Sequence, residues 1–149
     1  MKDLSLHIMD IVENSIRAEA KLIEIYLVED LENDLLTLQI EDDGKGMNSE
    51  TLQRAANPFF TKKPGKRIGL GLALLAQATR EAEGKFEISS KPEAGTKIMA
   101  TFSYSHPDRK PLGDMYATLE TLLAGNRKVD FLYEHRRGAN VTRFETRKR

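Results

Sequence analysis

Apolar residues recur at helical spacing in the first stretch of the chain. Leu4, Ile8, Ile11, Val12 and Ile16, with Ser15 among them, form one stripe and predict a helix from Leu4 to Ala20 that buries it. The period then changes to two. Ile23, Ile25 and Leu27 alternate with Glu24 and Tyr26, and Leu36, Leu38 and Ile40 alternate with Thr37 and Gln39. That pattern predicts an antiparallel hairpin across the polar turn Glu29 to Asp34. The loop Asp42-Asp43-Gly44-Lys45-Gly46-Met47 follows directly, and a short helix from Ser49 to Ala56 has Asn48 as its N-cap. Asn57 to Arg67, with Pro58, Pro64 and Gly65, reads as a loop. Gly69 to Glu83 reads as a second long helix closed by Gly84 at the C-cap position. Lys85 to Ser90 and Thr96 to Tyr104 are predicted strands across the turn Lys91 to Gly95. A helix from about Leu112 to Ala124 and a hairpin from Lys128 to Arg147 around Gly138 complete the chain. The order of elements predicts an α+β fold with helices packed on one face of a mainly antiparallel sheet.

Composition narrows the classes of function. The chain has 149 residues, about one domain's worth. Its 23 basic residues cancel 23 acidic ones, so bulk charge gives no reason to expect nucleic acid or a membrane as partner. The absence of cysteine excludes disulfides, thiol chemistry and thiolate metal sites. The longest charge-free apolar run, the twelve residues Ile68 to Thr79, is too short to cross a bilayer. Asp3, His7 and Asp10 interrupt any leader-like apolar segment at the start. A soluble, cytoplasmic domain is expected. Residues 1–104 carry 13 basic against 17 acidic residues, and residues 105–149 carry 10 against 6. The join at Ser105 to Pro111 holds two prolines and reads as a linker, so 105–149 is expected to be a basic appendage, of unknown role, on a core of 1–104.

Four constellations carry candidate chemistry. On the first helix, His7, Asp10, Asn14 and Arg17 fall within about an 80° arc, roughly 120° from the centre of the apolar face. That arrangement suits either a solvated face or a ligand surface on which Asn14 offers a neutral oxygen to a hard cation. Mg²⁺ keeps several waters and takes few protein ligands plus substrate phosphates, so one amide oxygen suffices. Second, Asp42-x-Gly44-x-Gly46 at a strand end allows a tight turn and close approach to a flat ligand, with an acceptor-only carboxylate beside it. Third, Thr61-Lys62-Lys63-Pro64-Gly65-Lys66-Arg67 runs into Gly69-Leu70-Gly71-Leu72 at a helix N-terminus, a combination that attracts phosphate. Fourth, Thr96 after Gly95 places a hydroxyl where it can share a water or a base edge with Asp42, if the two strand ends lie together.

Taken in order, these signals resemble the GHKL ATPases, whose members include histidine-kinase catalytic domains and kinase-type anti-sigma factors. The N-box resemblance lies in Asp10-Ile11-Val12-Glu13-Asn14-Ser15-Ile16-Arg17-Ala18, and the adenine-pocket loop in Asp42 to Met47. Asn57-Pro58-Phe59-Phe60-Thr61-Lys62-Lys63, continuing into Gly69-Leu70-Gly71-Leu72, is similar to the stretch leading through the lid to the second glycine box. Gly95-Thr96 resembles the last glycine box. The resemblance covers about residues 4–104 and implies a two-layer α/β sandwich of the Bergerat type, with a mainly antiparallel mixed sheet and ATP between the helices and a movable lid. Carried over by position, Asn14 would bind Mg²⁺, Asp42 would accept the adenine amino group, and Thr96 would assist it. Ala18, Gly44, Gly46 and Met47 would line the pocket. Thr61, Lys62, Lys63, Gly69, Leu70 and Gly71 would hold the phosphates.

The resemblance also frames the expected activity. Turnover members usually carry Glu four residues before the N-box Asn, where this chain has the shorter Asp10, the candidate catalytic residue. Binding of ATP and Mg²⁺ by a stand-alone kinase or ATPase that phosphorylates or switches a protein partner is therefore expected. The alternative is a nucleotide-gated binding module with little turnover. Only three residues precede Leu4, so no acceptor helix is expected before the domain, and His7, His106 and His135 are not expected to be phosphoacceptors. A partner or homodimer surface, or a solvated protective edge, is expected of the C-terminal hairpin.

Overall fold

The computed structural model describes residues 3–56 and 70–146. The described residues form helices α1 (Leu4–Arg17), α2 (Ser49–Ala56), α3 (Leu70–Glu81) and α4 (Met115–Gly125). The strands are β1 (Leu22–Asp30), β2 (Leu35–Asp42), β3 (Phe86–Ser90), β4 (Thr96–Ser103), β5 (Asp130–Arg137) and β6 (Asn140–Glu145). They make one sheet in the order β3-β4-β2-β1-β5-β6. Every neighbouring pair is antiparallel except β1 with β5, which is parallel. The α+β class and the mainly antiparallel mixed sheet follow the expectation.

Alternation along the strands sorts the two faces. Ile25 and Leu27 on β1 stand in register with Ile40 and Leu38 on β2, which continue to Ile98 and Ala100 on β4, and Ile23 stands opposite Asp42. These apolar side chains are buried in one cluster with Leu4, Ile8, Ile11 and Val12 of α1 and Leu72 and Leu75 of α3. Burying each large aliphatic side chain contributes about 1.5–3 kcal/mol. The intervening residues Glu24, Tyr26, Thr37 and Gln39 lie on the opposite face and are only partly covered.

The helix and hairpin after residue 104 are built into the same sheet and core. Met115, Leu119 and Leu122 of α4, with Phe131 and Tyr133 of β5, join the central cluster. Ahead of α4, the carbonyls of Pro111 and Leu112 accept hydrogen bonds from the Leu4 and Ser5 amides at 2.8 and 3.0 Å. Farther along the sheet, the buried Glu29 carboxylate of β1 accepts from the Tyr104 hydroxyl at 2.9 Å and meets His135 Nε2 of β5 at 2.7 Å. The residue 104/105 boundary thus falls between two segments that share one core.

Helix ends differ from the sequence expectation for a physical reason. α1 stops at Arg17 rather than Ala20, because Ala20 N donates to Ser15 O and Glu19 N to Ile16 O, a Schellman pair with Glu19 in the left-handed region at φ 62°. α3 ends in the same way, with Gly84 N donating to Thr79 O and Glu83 to Arg80 O. The left-handed residue is Glu83, at φ 55°, and not Gly84 as expected. Gly84 serves close approach instead, since a β-carbon there would collide with the Thr101 carbonyl of β4. Asn48 caps α2 as expected, its Oδ1 accepting from Thr51 N at 2.8 Å.

Candidate functional site

The same alternation that buries Leu36, Leu38 and Ile40 carries Asp42 to the helix-facing side at the end of β2. Its neighbour across the ladder is Thr96, the first residue of β4. The two strand ends therefore do lie together. Asp42 is held from two sides: Gly44 N donates to Oδ1 at 2.9 Å, and the Ser15 hydroxyl of α1 donates to Oδ2 at 2.6 Å. Asp43 faces the other way and accepts the Lys21 and Leu22 amides at 2.7 and 3.0 Å, which fastens the start of β1. Asp43 thus fastens the chain, while Asp42 is oriented toward the cavity side by Gly44 and Ser15.

The loop after Asp42 is shaped by backbone contact. Ala18 O, turned outward by the end of α1, accepts from Lys45 N at 2.8 Å, and Lys45 O accepts from Glu93 N at 2.6 Å. A β-carbon on Gly44 would sit 2.8 Å from Ala18 O. Gly46 has φ +69°, and a β-carbon there would collide with the Lys91 carbonyl, so both the dihedral and the space require glycine. Met47 N then donates to the Ser90 hydroxyl at 2.8 Å.

The polar face of α1 forms the third side. Asp10 and Asn14 stand one turn apart, and the first turn of α3 presses on both. A β-carbon at Gly71 would lie 3.2 Å from the Asp10 Cβ and 3.9 Å from Asn14 Nδ2. The N-terminal, positive end of α3 lies beside these two residues. Asn14 Oδ1 accepts from Arg17 Nη1 at 3.1 Å.

Between these walls lies a cavity of about 210 Å³. Ile11, Met47, Leu72 and Ile98 give it apolar sides, and Asp42 and Thr96 supply polar groups where β2 and β4 meet it. Its size is below the ~300–1,000 Å³ of pockets that enclose whole drug-sized ligands and suits one flat ring system. A broader open groove of about 700 Å³ between α3 and β3, walled by Arg80, Lys85, Phe86 and Ile88, contains none of the candidate residues.

Of the candidates, Asn14, Ala18, Asp42, Gly46, Met47 and Thr96 line the cavity together. Asp10, Gly44 and Gly71 border these lining residues, and Leu70 begins α3. Thr61, Lys62, Lys63 and Gly69 lie outside the described residues. Sequence reasoning placed Ser15 in the apolar stripe and did not single out Ser90. Ser15 has the burial expected of the stripe, yet its hydroxyl orients Asp42; Ser90 carries no charge or spacing signal, only its place at the end of an edge strand. Among the described residues no group of three or more His, Cys, Asp or Glu side chains could hold a metal ion. Nor is any helix among them long and apolar enough to cross a membrane.

Comparison with known proteins adds the following. Residues 2–106 match the family described as histidine kinase-, DNA gyrase B-, and HSP90-like ATPase. A putative sensor protein of Shewanella frigidimarina is 36 % identical over 51 % of this chain and 12 % of its own length. The sensor histidine kinase YxdK of Bacillus subtilis is 29 % identical over 68 % of this chain and 33 % of its own. The chain thus spans no more than a third of the length of these relatives. Among solved structures, the N-terminal domain of a DNA repair protein superposes with a TM-score of 0.72 at 14 % identity, over 99 % of this chain and 54 % of that one. The Aquifex aeolicus MutL ATPase domain complexed with ADP superposes with a TM-score of 0.54 at 14 % identity, over 86 % and 57 %. These likenesses describe the fold, and they extend past residue 106 to take in the C-terminal helix and hairpin in the first case.

Proposed function

Because the chain belongs to the family of histidine kinase-, DNA gyrase B- and HSP90-like ATPases, we propose that its small cavity receives the adenine ring of ATP and that the chain uses the nucleotide to phosphorylate or switch a protein partner. The observation that carries this reading is the cross-strand pair Asp42–Thr96 facing a slot with apolar walls, with Asn14 in the same lining. An apolar slot stacks a flat ring, and an ionised carboxylate at its polar end accepts from an exocyclic amine. Gly44, Gly46, Met47 and Ala18 shape the slot through backbone contacts. The phosphates would lie toward the start of α3, where Gly71 lets that helix approach Asp10 and Asn14, with Thr61, Lys62, Lys63, Gly69 and Leu70 contributing to their binding.

The donor set fits magnesium of the kind that nucleotides bring. No described acidic cluster competes to bind a bare ion, and Asn14 offers one neutral oxygen, which is sufficient when phosphates and waters supply the rest. The ion would neutralise phosphate charge, while Asp10, one turn before Asn14, would orient or activate the attacking group. In this reading residues 1–104 carry the nucleotide site and residues 105–149 brace it, in the cytoplasm. The short reach of Asp10 favours a second reading, in which nucleotide binding gates a protein contact with little turnover.

Isothermal titration with ATP or ADP and Mg²⁺ tests the site. Asp42→Asn should weaken binding roughly 10- to 150-fold, the range for loss of a charge-assisted hydrogen bond, and Asn14→Ala should abolish the magnesium-dependent part. Wild-type affinity in both variants refutes the assignment.

A further inference from the structure

The Ser90 hydroxyl stands behind the cavity and not in it, at the junction of three partners. Met47 N donates to Ser90 Oγ at 2.8 Å, Gly95 O lies 3.0 Å away, and Thr96 Oγ1 lies 2.8 Å away. A serine hydroxyl has one proton and two acceptor sites. A backbone amide can only donate and a backbone carbonyl can only accept. Ser90 therefore takes the Met47 proton and gives its own to Gly95 O. The remaining contact closes only if Thr96 donates its proton to Ser90.

We propose that Ser90 is a positioning residue that sets the hydrogen-bond polarity of the base site: by consuming the Thr96 proton, it makes Thr96 present only lone pairs to the cavity. This rests on the nucleotide reading above and deepens it. The Asp42 carboxylate offers only acceptor oxygens, and Thr96, its partner across the ladder, becomes acceptor-only because of Ser90. Two adjacent acceptors match a base edge that carries an amino group and oppose one that carries a carbonyl at the same place. Selection of a 6-amino over a 6-oxo purine is then decided partly by a residue that lines no part of the cavity.

The test compares ATP with inosine triphosphate, which has a carbonyl where ATP has its amine, by titration with the wild type and Ser90→Ala. Removing Ser90 frees the Thr96 proton to face the ligand. The ATP-over-ITP affinity ratio should fall about tenfold, and Ser90→Thr, which keeps a hydroxyl, should restore it. In a Thr96→Val background Ser90→Ala should leave the ratio unchanged. A proportional fall in both affinities means that Ser90 only supports the Met47 loop, and it overturns the proposal. An equal fall of the ratio in the Thr96→Val background overturns it too. A wild type that binds ATP with an unaltered ratio in Ser90→Ala overturns this inference alone, whereas a wild type that binds no ATP overturns the nucleotide reading with it.

Discussion

Replacing Gly46 by alanine separates two costs that the backbone imposes at the mouth of the cavity. Its φ of +69° lies in the left-handed region, where a β-carbon costs roughly 1–2 kcal/mol. The added carbon also collides with the Lys91 carbonyl, so the loop must shift as a unit. The shift breaks two bonds that frame it, Glu93 N to Lys45 O and Met47 N to Ser90 Oγ. At about 1 kcal/mol net for each bond, the total comes to about 3–4 kcal/mol. For a chain of this length that corresponds to a melting temperature lower by roughly 6–16 °C. Gly138→Ala isolates the first cost: its φ is +58°, at the first position of the two-residue hairpin loop, and nothing lies within 4 Å of a β-carbon there. That variant should lose only about 1–2 kcal/mol. Gly125→Ala, with open space and no left-handed φ, should be close to neutral. Urea unfolding followed by circular dichroism gives the three values on one scale. If Gly46→Ala is no less stable than Gly138→Ala, the close approach of the two backbones is wrong, and with it the shape of the slot.

Acid should expose the buried contact between β1 and β5. Burial raises the Glu29 pKa, but hydrogen bonds from His135 and Tyr104, with the His135 and Arg137 charges, outweigh it and hold the group below its ordinary value. A depressed folded-state pKa adds stability above the unfolded value near 4.5 that is lost as pH falls through the folded one. Glu29→Gln should therefore be less stable than wild type at neutral pH, with the gap in urea midpoint closing below pH ~4.5; a constant or widening gap contradicts this. Phe131→Ala, which empties a fully buried position on β5, should cost about 3–5 kcal/mol by chemical denaturation. A loss under 1 kcal/mol would mean that the C-terminal hairpin is not part of the working core. Asp10→Glu lengthens the side chain by one methylene beside Asn14 and should raise phosphate release from ATP; turnover created from a background wild-type rate favours the gated-binding reading, and unchanged release contradicts the role given to Asp10.

What the amino-acid pattern revealed, and what it hid, follows from the range of the interactions. Leu36, Leu38, Ile40 and Asp42 share a period of two, so the strand and the direction of its last carboxylate were both readable locally. The meeting of Asp42 with Thr96 enters the sequence reading only as a condition, that the two strand ends lie together, and through the family resemblance; the ladder between β2 and β4 meets that condition. The parallel pairing of β1 with β5 was not anticipated, since Phe131 and Tyr133 alternate as they would on any half-buried strand. Which glycine does what also escaped local reading. Glu83 accepts the strained dihedral beside Gly84, because the neighbouring strand leaves no room for a β-carbon at the latter. Ser15 and Ser90 are neutral and small, and only the folded neighbours of their hydroxyls give them roles.

The parallel ladder between β1 and β5 joins Leu22 to Asp130, more than one hundred residues apart in the chain. Such a contact closes late, because loop entropy must be met before pairing returns anything. While the protein is still emerging from a ribosome, β1 has β2 on one flank and a bare row of amides and carbonyls on the other. All the described walls of the slot have by then been synthesised. A nascent chain therefore holds the described walls of the slot before it holds the strand that covers the open flank of β1, and that flank stays bare until β5 has been made.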